Sequence, residues 1–506
     1  HSDFFFWKLG ACVRKVTYKK KIVKVISKIK YLIYINMAMS YDEIEDMEGK
    51  FLPENVRYMV DSMSQFSRNR FRLETVSAET AKSGRIITVN LPEGACLDLN
   101  SFRFHFDVKT SQTGSGTDIV YAKLPQDAQS LIQRLEVNIN GIAVQQGASE
   151  WNTVYAIKKL GDSCIDRASS VDKALSHGDI DGTDKIDIES LVIQDWCGFL
   201  GERSTRFLDT SVWGAIQVRI TLANNAVLVP KQVGALNTIG KKLTTPAAKA
   251  AAEQMSYEVS NIFFTVDSVS LNPVYNRMLR DRLEAEDYLP LNYKEQYTFS
   301  LDSITSGSSS TRFSLSSGSI DKMYGVFRDS NYNSVGTVGK QYENAGTGLG
   351  TFCANYLRFR SYNDTPDVDG EPAPLLAGKL RYNWALNNCQ MPQYSANIMD
   401  ALADVNYLPD KVGTGGEGTL VTSKNSFYDG KFVCGQLLNM PCKHGVVIQS
   451  GFNSRGINTT MNWRVQGQKI PPADVDLGTT NTIGSFVVLD TTAQLRAGVG
   501  KNLAVL

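Results

Sequence analysis

Two-residue periodicity is the feature that most restricts this chain. In "SLIQRLEVNINGIAVQQG", residues 130–147, Leu135, Val137 and Ile139 alternate with Glu136 and Asn138 and then meet Asn140-Gly141. Successive side chains of a strand point to opposite faces, so the alternation gives one apolar face for a core and one polar face. Asn-Gly readily takes the positive φ angles of a type I′ turn, and the stretch therefore reads as a β-hairpin. Ile139 is expected to face Ile142, and Val137 to face Val144, with Glu136, Asn138 and Gln145 on the solvated or neighbour-facing side.

The same period recurs along the chain. "RIITVNLPEGACLDLNSFRFHFDVK" (85–109) gives two strands around Pro92-Glu93-Gly94, with Phe102, Phe104, Phe106 and Val108 alternating with Arg103, His105 and Asp107. Leu97 and Leu99 sit on the opposite parity to Phe102, which predicts a bulge near Asn100-Ser101. "WNTVYAIKKLG" (151–161) predicts a helix, followed by a polar Asp- and Ser-rich stretch. "GAIQVRITLA" and "SNIFFTVDSVSL" return to strand on either side of a long insertion at 224–258. "PVYNRMLRDRLEAEDYLP" (273–290) is a charged helical run bounded by two prolines, the best domain boundary in the chain. Beyond it, strands are predicted in "YTFSLDSI", "TRFSLSS", "KLRYNWAL", "FVCGQLLNM", "HGVVIQSGFNS", "TTMNWRV" and "SFVVLDTTAQL". Gly-, Ser- and Asn-rich segments at 329–352, 361–378 and 409–426 lie between them. They are too long for hairpin turns and suit functional or interface-forming loops.

A chain of 506 residues exceeds what one hydrophobic core holds, so at least two domains are expected. "FFTVDS" (263–268) faintly echoes "FVVLDT" (486–491), each near the end of its β region, as two copies of one domain require. Short strands, few helices and long excursions give an all-β fold of two tandem eight-stranded jelly rolls, 85–272 and 291–506, joined by a helical linker at 273–290.

Residues 37–84 read differently, as an N-terminal helical arm. Val56, Met59, Val60, Met63 and Phe66 recur at helical spacing, and Arg68, Arg70 and Arg72 follow the apolar stripe. An apolar stripe serves equally to dock a helix under its own domain or to contact a partner. Residues 1–36 hold nine Lys or Arg against Asp3, a charge of +8, which leaves 44 basic and 51 acidic groups, or −7, in the rest. A mildly acidic body is poorly suited to wrapping nucleic acid by charge alone, so no sequence-specific nucleic-acid binding is expected. The basic segment lacks the 18 or more apolar residues of a membrane span and the cleavage pattern of a signal peptide. It could serve as a nucleic-acid or membrane-surface arm. The favoured expectation is that residues 1–36 lie outside the mature protein, with Met37 or Met39 as a natural start.

The eight cysteines are dispersed with no CxxC, and seven remain without the first 36 residues. An odd number cannot all pair, so free thiols in a reducing compartment are expected. Of four histidines, His1, His105, His177 and His444, none clusters with metal-ligand spacing, and His105 is expected on the wet face of its strand. "GALNTIGKK" (234–242) departs from a phosphate-binding loop, having five residues between its glycines and Lys242 in the Ser/Thr place. No nucleophile elbow, HExxH helix or Ser/Lys constellation occurs, and nothing singles out a carboxylate pair. No enzyme activity, metal or cofactor is therefore expected.

"LPQDAQSLIQRLEVNINGIAVQQGASEWNTVYAIKKL" (124–160) resembles the first-domain segment of double jelly-roll major capsid proteins, those of polinton-like viruses, virophages and large DNA viruses. "NPVYNRMLRDRLEAEDYLPLNYKEQYTF" (272–299) is similar to the linker between their two rolls. "SGFNSRGINTTMNWRV" and the terminal "FVVLDTTAQLRAGVGKNLAVL" are similar to their last strands. The resemblance covers most of 85–506 as scattered segments. It implies a homotrimeric, pseudo-hexagonal capsomer tiling an icosahedral shell, found in the virion and assembled in the host cytoplasm or nucleus. The partners implied are the chain itself, penton and minor capsid proteins, and an inner membrane reached through the N-terminal arm. The insertion at 224–258 and the loops at 329–352 and 409–426 would then be outer or inter-subunit loops. A carbohydrate- or receptor-binding spike-like protein shares the architecture and is the alternative.

Overall fold

The computed structural model describes residues 67–161 except 78 and 126, then 188–232, and 246–335 except 271–272, 305–307 and 330–331. Beyond these it describes 355–357, 359, 381–401 except 388 and 398–399, 432–439, 450–455, 461–466 and 483–506. Val56, Met59, Val60, Met63 and Phe66, the whole segment 1–36 and, apart from 329 and 332–335, the long second-half loops lie outside the described residues.

The first half contains β1 (Ser67–Glu74), β2 (Ala81–Lys82), β3 (Ile86–Asn90), β4 (Cys96–Thr110), β5 (Gln112–Thr113), β6 (Val120–Lys123), β7 (Ile132–Ile139) and β8 (Ile142–Gln145). There follow α1 (Trp151–Gly161), β9 (Ile188–Ile193), β10 (Phe207–Asp209), α2 (Thr210–Trp213), β11 (Ile216–Leu222), β12 (Val229–Gln232), α3 (Pro246–Ala252) and β13 (Tyr257–Ser270). After the connecting helix α4 (Pro273–Glu286) come β14 (Tyr288–Ile304), β15 (Ser308–Phe313), β16 (Ile320–Asp329), β17 (Arg381–Leu386) and β18 (Cys389–Ala396). The chain ends with β19 (Cys434–Leu437), β20 (Met461–Gln466), β21 (Ile483–Gly498) and β22 (Leu503–Val505).

One sheet of the first half runs β1-β13-β4-β10, with β9 also on β4, and faces a second sheet, β3-β11-β7-β8. The other half repeats this as β14-β21-β16-β19 and β15-β20-β17-β18. Counting in chain order only the eight strands of these two facing sheets, each half pairs its first strand with its eighth, its eighth with its third and its third with its sixth. Its second sheet runs second, seventh, fourth, fifth. This is the strand order of a jelly roll, present twice, and the fold is an all-β double jelly roll.

The cores follow the alternation. Phe102, Phe104 and Phe264 stack inside the first roll, with centroids 5.4 and 4.8 Å apart, and Trp196 and Trp151 extend the cluster. Phe313 meets Trp384 edge-on, and Phe327 stacks on Phe432, inside the second roll. The predicted bulge lies between Asp98 and Arg103, where the register on β13 slips. There the Ser101 hydroxyl accepts from the Asp267 N–H and donates to the Asp98 carbonyl.

Three expectations need correction. Residues 67–74 and 81–82 of the proposed helical arm are strands: Arg68, Arg70 and Arg72 fall at alternate positions, and β1 pairs along its length with β13. The period-two arginines place all three on one face, which no helix would do. In the hairpin Ile139 does oppose Ile142, but a register shift after Val137 sets Val137 opposite Gln145 instead of Val144. Gln145 is consequently buried, and its side-chain oxygen accepts from the Phe199 N–H at 2.8 Å. Helix α4 stops at Glu286, before Pro290, because Asp287 adopts a left-handed φ of 62° and Pro290 already belongs to β14.

Candidate functional site

The outer face of the sheet β14-β21-β16 is the most heavily buried polar surface of the described residues. By strand parity Lys294, Gln296, Lys322, Arg328, Asp490 and Thr492 share that face, with Asp321 in contact with Lys294 and Thr492, and all are buried; Glu295 and Thr491, at the opposite parity, are buried too. A sheet with one face on its own core would leave such residues in water. Here the first roll reaches Arg328 through Glu150 and Thr153, Asp490 through Lys158, and Gln296 through Glu202.

The cover is built from the end of β8, the turn into α1, α1 itself and the segment 196–204. Backbone pairing ties the seam: Lys294 N–H donates to the Glu202 carbonyl at 2.9 Å, Ser204 N–H to Asn292 at 2.8 Å, and Thr298 N–H to Gly147 at 3.2 Å. At Gly147 the two halves approach closely. A Cβ there would lie 2.6 Å from the Tyr297 ring and 2.7 Å from the Gln296 carbonyl oxygen. Phe199 meets Tyr293 edge-on at 5.2 Å.

Two charge clusters lie under this cover. Lys158 of α1 bonds Glu202 at 2.6 Å and stands 3.7 Å from Asp490, which also accepts from the Gln296 amide at 2.9 Å. Burial opposes the charge on Lys158, but Asp490 and Glu202 outweigh it and hold the ammonium well above its ordinary value. Burial likewise disfavours the Asp490 carboxylate, yet Lys158, Lys294 and Lys322 keep its pKa below the usual range. Arg328 bonds Glu150 at 2.5 Å and lies over the Tyr332 and Phe486 rings at 3.9 and 4.4 Å. Burial would raise the Glu150 pKa, but Arg328, Tyr332 and Thr153 bring it below the ordinary value. Glu295 and Asp321 go the other way. Burial pushes Glu295 up despite Tyr297 and the Gln146 and Gly147 N–H groups, and Asp321 up despite its contact with Lys294.

Paired buried charges demand their partners: removing one leaves the other without compensation. The seam therefore fixes how one roll sits on the other. Among the described residues no three His, Cys, Asp or Glu are grouped to hold a metal, and no helix is long and apolar enough to cross a membrane.

The described site residues from the sequence lie elsewhere, on the corresponding face of the first roll. Arg68 and Arg70 each bond Asp267, at 2.7 Å, and Arg68 also reaches Asp98 at 3.2 Å. Arg72 bonds Glu74 and lies 4.3 Å over the Phe263 ring. The hydrogen bond and charge of Arg70, helped by Arg68, hold Asp267 below the usual carboxylate range. His105 faces outward as expected but is half-buried, stacked on Phe263 at 4.5 Å with Nε2 3.1 Å from the Thr265 hydroxyl. Burial, then Arg103, Arg70 and Arg72, lower its pKa. The cysteines at 96, 197, 389 and 434 are free, and burial pushes the Cys96 thiol up to about 11.

Register makes the two faces equivalent. "FFTVDS" and "FVVLDT" occupy the same strand of each roll, β13 and β21. Asp267 lies opposite Arg70, and Asp490 opposite Gln296; two residues away Arg68 and Lys294 occupy matching positions opposite Val269 and Thr492. Each roll thus carries an acid on its last strand beside a cation of its first.

The sequence matches no protein-family model and no curated protein. Among solved structures it is similar to a quasi-atomic model of the PBCV-1 virus capsid, with 13% identity, a TM-score of 0.52, and coverage of 87% of this chain and 97% of that one. The crystal structure of PBCV-1 VP54 fitted into a reconstruction of the virophage Sputnik matches with the same identity, coverage and TM-score. Along nearly its whole described length, then, the chain has the double jelly-roll fold of these capsid structures.

Proposed function

We propose that this chain is a viral major capsid protein that assembles as a trimer of pseudo-hexagonal outline and tiles an icosahedral shell. The observation that carries this reading is the match of two rolls, in the same order along the chain, to structures of the PBCV-1 capsid over 97% of their length. The buried seam supports it physically, since six rolls form a regular ring only if the two within each chain hold a fixed angle. The role is structural, with no catalytic step, and its place is the virion. The N-terminal arm, with Val56, Met59, Val60, Met63 and Phe66, reaches a neighbouring capsomer, a penton or minor capsid protein, or an inner membrane. The jelly rolls are its domains and α4 their linker.

Light scattering on the size-fractionated protein tests the central part. A particle of about three times the 55.9 kDa of one chain is expected, and a monomer at every concentration would refute the reading. Deleting 37–66, which leaves β1 in place, tests the arm: trimers should form normally and fail to assemble further. Loss of the trimer would instead make the arm part of its own roll.

A further inference from the structure

Lys294 on β14 and Asp321 on β16 are not on neighbouring strands, because β21 runs between them. Their side chains bridge two strand spacings, about 10 Å, and meet over Thr492, which lies opposite Lys294 in register. A bulge makes the meeting possible. Ile320 lies opposite Thr491 and Lys322 opposite Asp490, so Asp321 is the extra residue of β16. A bulge re-aims the side chain it carries, and here it brings the Asp321 carboxylate onto the Lys294 ammonium.

Both carboxylate oxygens are held. Oδ1 accepts from the Ser319 hydroxyl at 2.7 Å, and that hydroxyl is fixed in turn by the Gly451 N–H at 2.8 Å. Oδ2 accepts from Lys294 Nζ and from the Thr492 hydroxyl. Lys294, Ser319, Asp321 and Thr492 are buried, and a Cβ at Gly451 would lie 2.6 Å from Oδ1, so the chain closes directly over the group. A further carboxylate stands beside the pair. Asp490 lies two residues from Thr492 on the same face, diagonally across from Lys294, and its Oδ2 is buried with no hydrogen-bond partner among the described residues.

We infer that Lys294 and Asp321 condense into an isopeptide bond, an autocatalytic modification that ties β14 to β16 across β21. Nζ bonds to Cγ of Asp321 as the Cγ–Oδ2 bond breaks. Two of the three ammonium protons leave with Oδ2 as water, the third stays on the amide nitrogen, and the two opposite charges cancel. No oxidant or co-reactant is required. Burial favours the neutral amine and acid from which the attack starts. It pushes the Asp321 carboxyl up, with the Asp490 charge adding to it, against the pull of Lys294. Holding the two groups in contact replaces a bimolecular encounter with a step inside one molecule. Asp490 Oδ2 takes a proton from the ammonium and returns it to the departing oxygen. Ser319 holds Oδ1, the oxygen that remains as the amide carbonyl. The step occurs once per chain and turns no substrate over, and it does not depend on the capsid reading.

The test is the intact mass of the full chain under denaturing conditions, followed by mapping of its tryptic peptides. The chain is expected to be lighter than its sequence mass by one water, with a branched peptide joining Lys294 to Asp321. Lys294→Arg and Asp321→Ala should each restore the full mass. In Asp490→Asn the linked fraction should grow at least about tenfold more slowly after refolding. A parent chain of full sequence mass overturns the proposal and leaves the pair a salt bridge. Loss of water without the branched peptide overturns it too, and an Asp490→Asn chain that links as fast as the parent overturns the part given to Asp490. Should a variant not fold, the mass and branched peptide of the parent chain decide.

Discussion

Lys158 concentrates the physics of the seam in one side chain. Its ammonium is buried between Glu202 and Asp490, so Lys158→Met should cost about 3–5 kcal/mol in denaturant-induced unfolding, because two carboxylates lose their counter-charge. Adding Asp490→Asn should recover part of that loss, which a double-mutant cycle would measure. Glu295 makes the opposite case. Its folded pKa lies above the ordinary value, so the folded state binds the extra proton and this group's contribution falls as pH rises from the usual carboxylate range toward the raised value. Glu295→Gln should remove that decline, and melting temperatures of the variant and the parent, compared between about pH 4 and 7, would check it. Glu150 and Asp490, with lowered pKa values, contribute above the usual carboxylate range and lose that contribution as pH falls through their folded values.

At the scale of elements, most strands with one wet face were legible, and so was β21, buried on both faces but apolar in sequence, whereas β16 was not. β4, β7, β11 and β13 alternate because water lies beyond them, or a thin polar layer does. β16, "IDKMYGVFRD", shows no such alternation and goes unread in the sequence, since Asp321, Lys322 and Arg328 are all buried, Arg328 against Glu150 and Thr153 of the first roll. β18 and β9 are missed for another reason: one carries Pro392 and mostly exposed polar residues, the other leaves Ile188 outward. β1 hides behind the helical stripe that precedes it, although its own arginines repeat every second residue. Helix α1 was legible, but its pairing through Lys158 and Glu150 with strands more than 150 residues away was not. Two local features carry testable weight. Asn140 and Gly141 hold φ of 48° and 83°, so Gly141→Val should cost about 1–2 kcal/mol through strain at the second turn position. Gly147→Ala should destabilise by about 1–3 kcal/mol, since its new carbon meets the Gln296 backbone. Thermal unfolding of both variants would check these values.

For the whole molecule, the repeated strand order and the polar seam have a single consequence: one chain holds two rolls at a fixed angle, joined by buried charges. The most direct measurement is cryo-electron microscopy of the purified full chain. The account predicts threefold particles with six jelly rolls around a closed ring. Isolated two-roll monomers would contradict it.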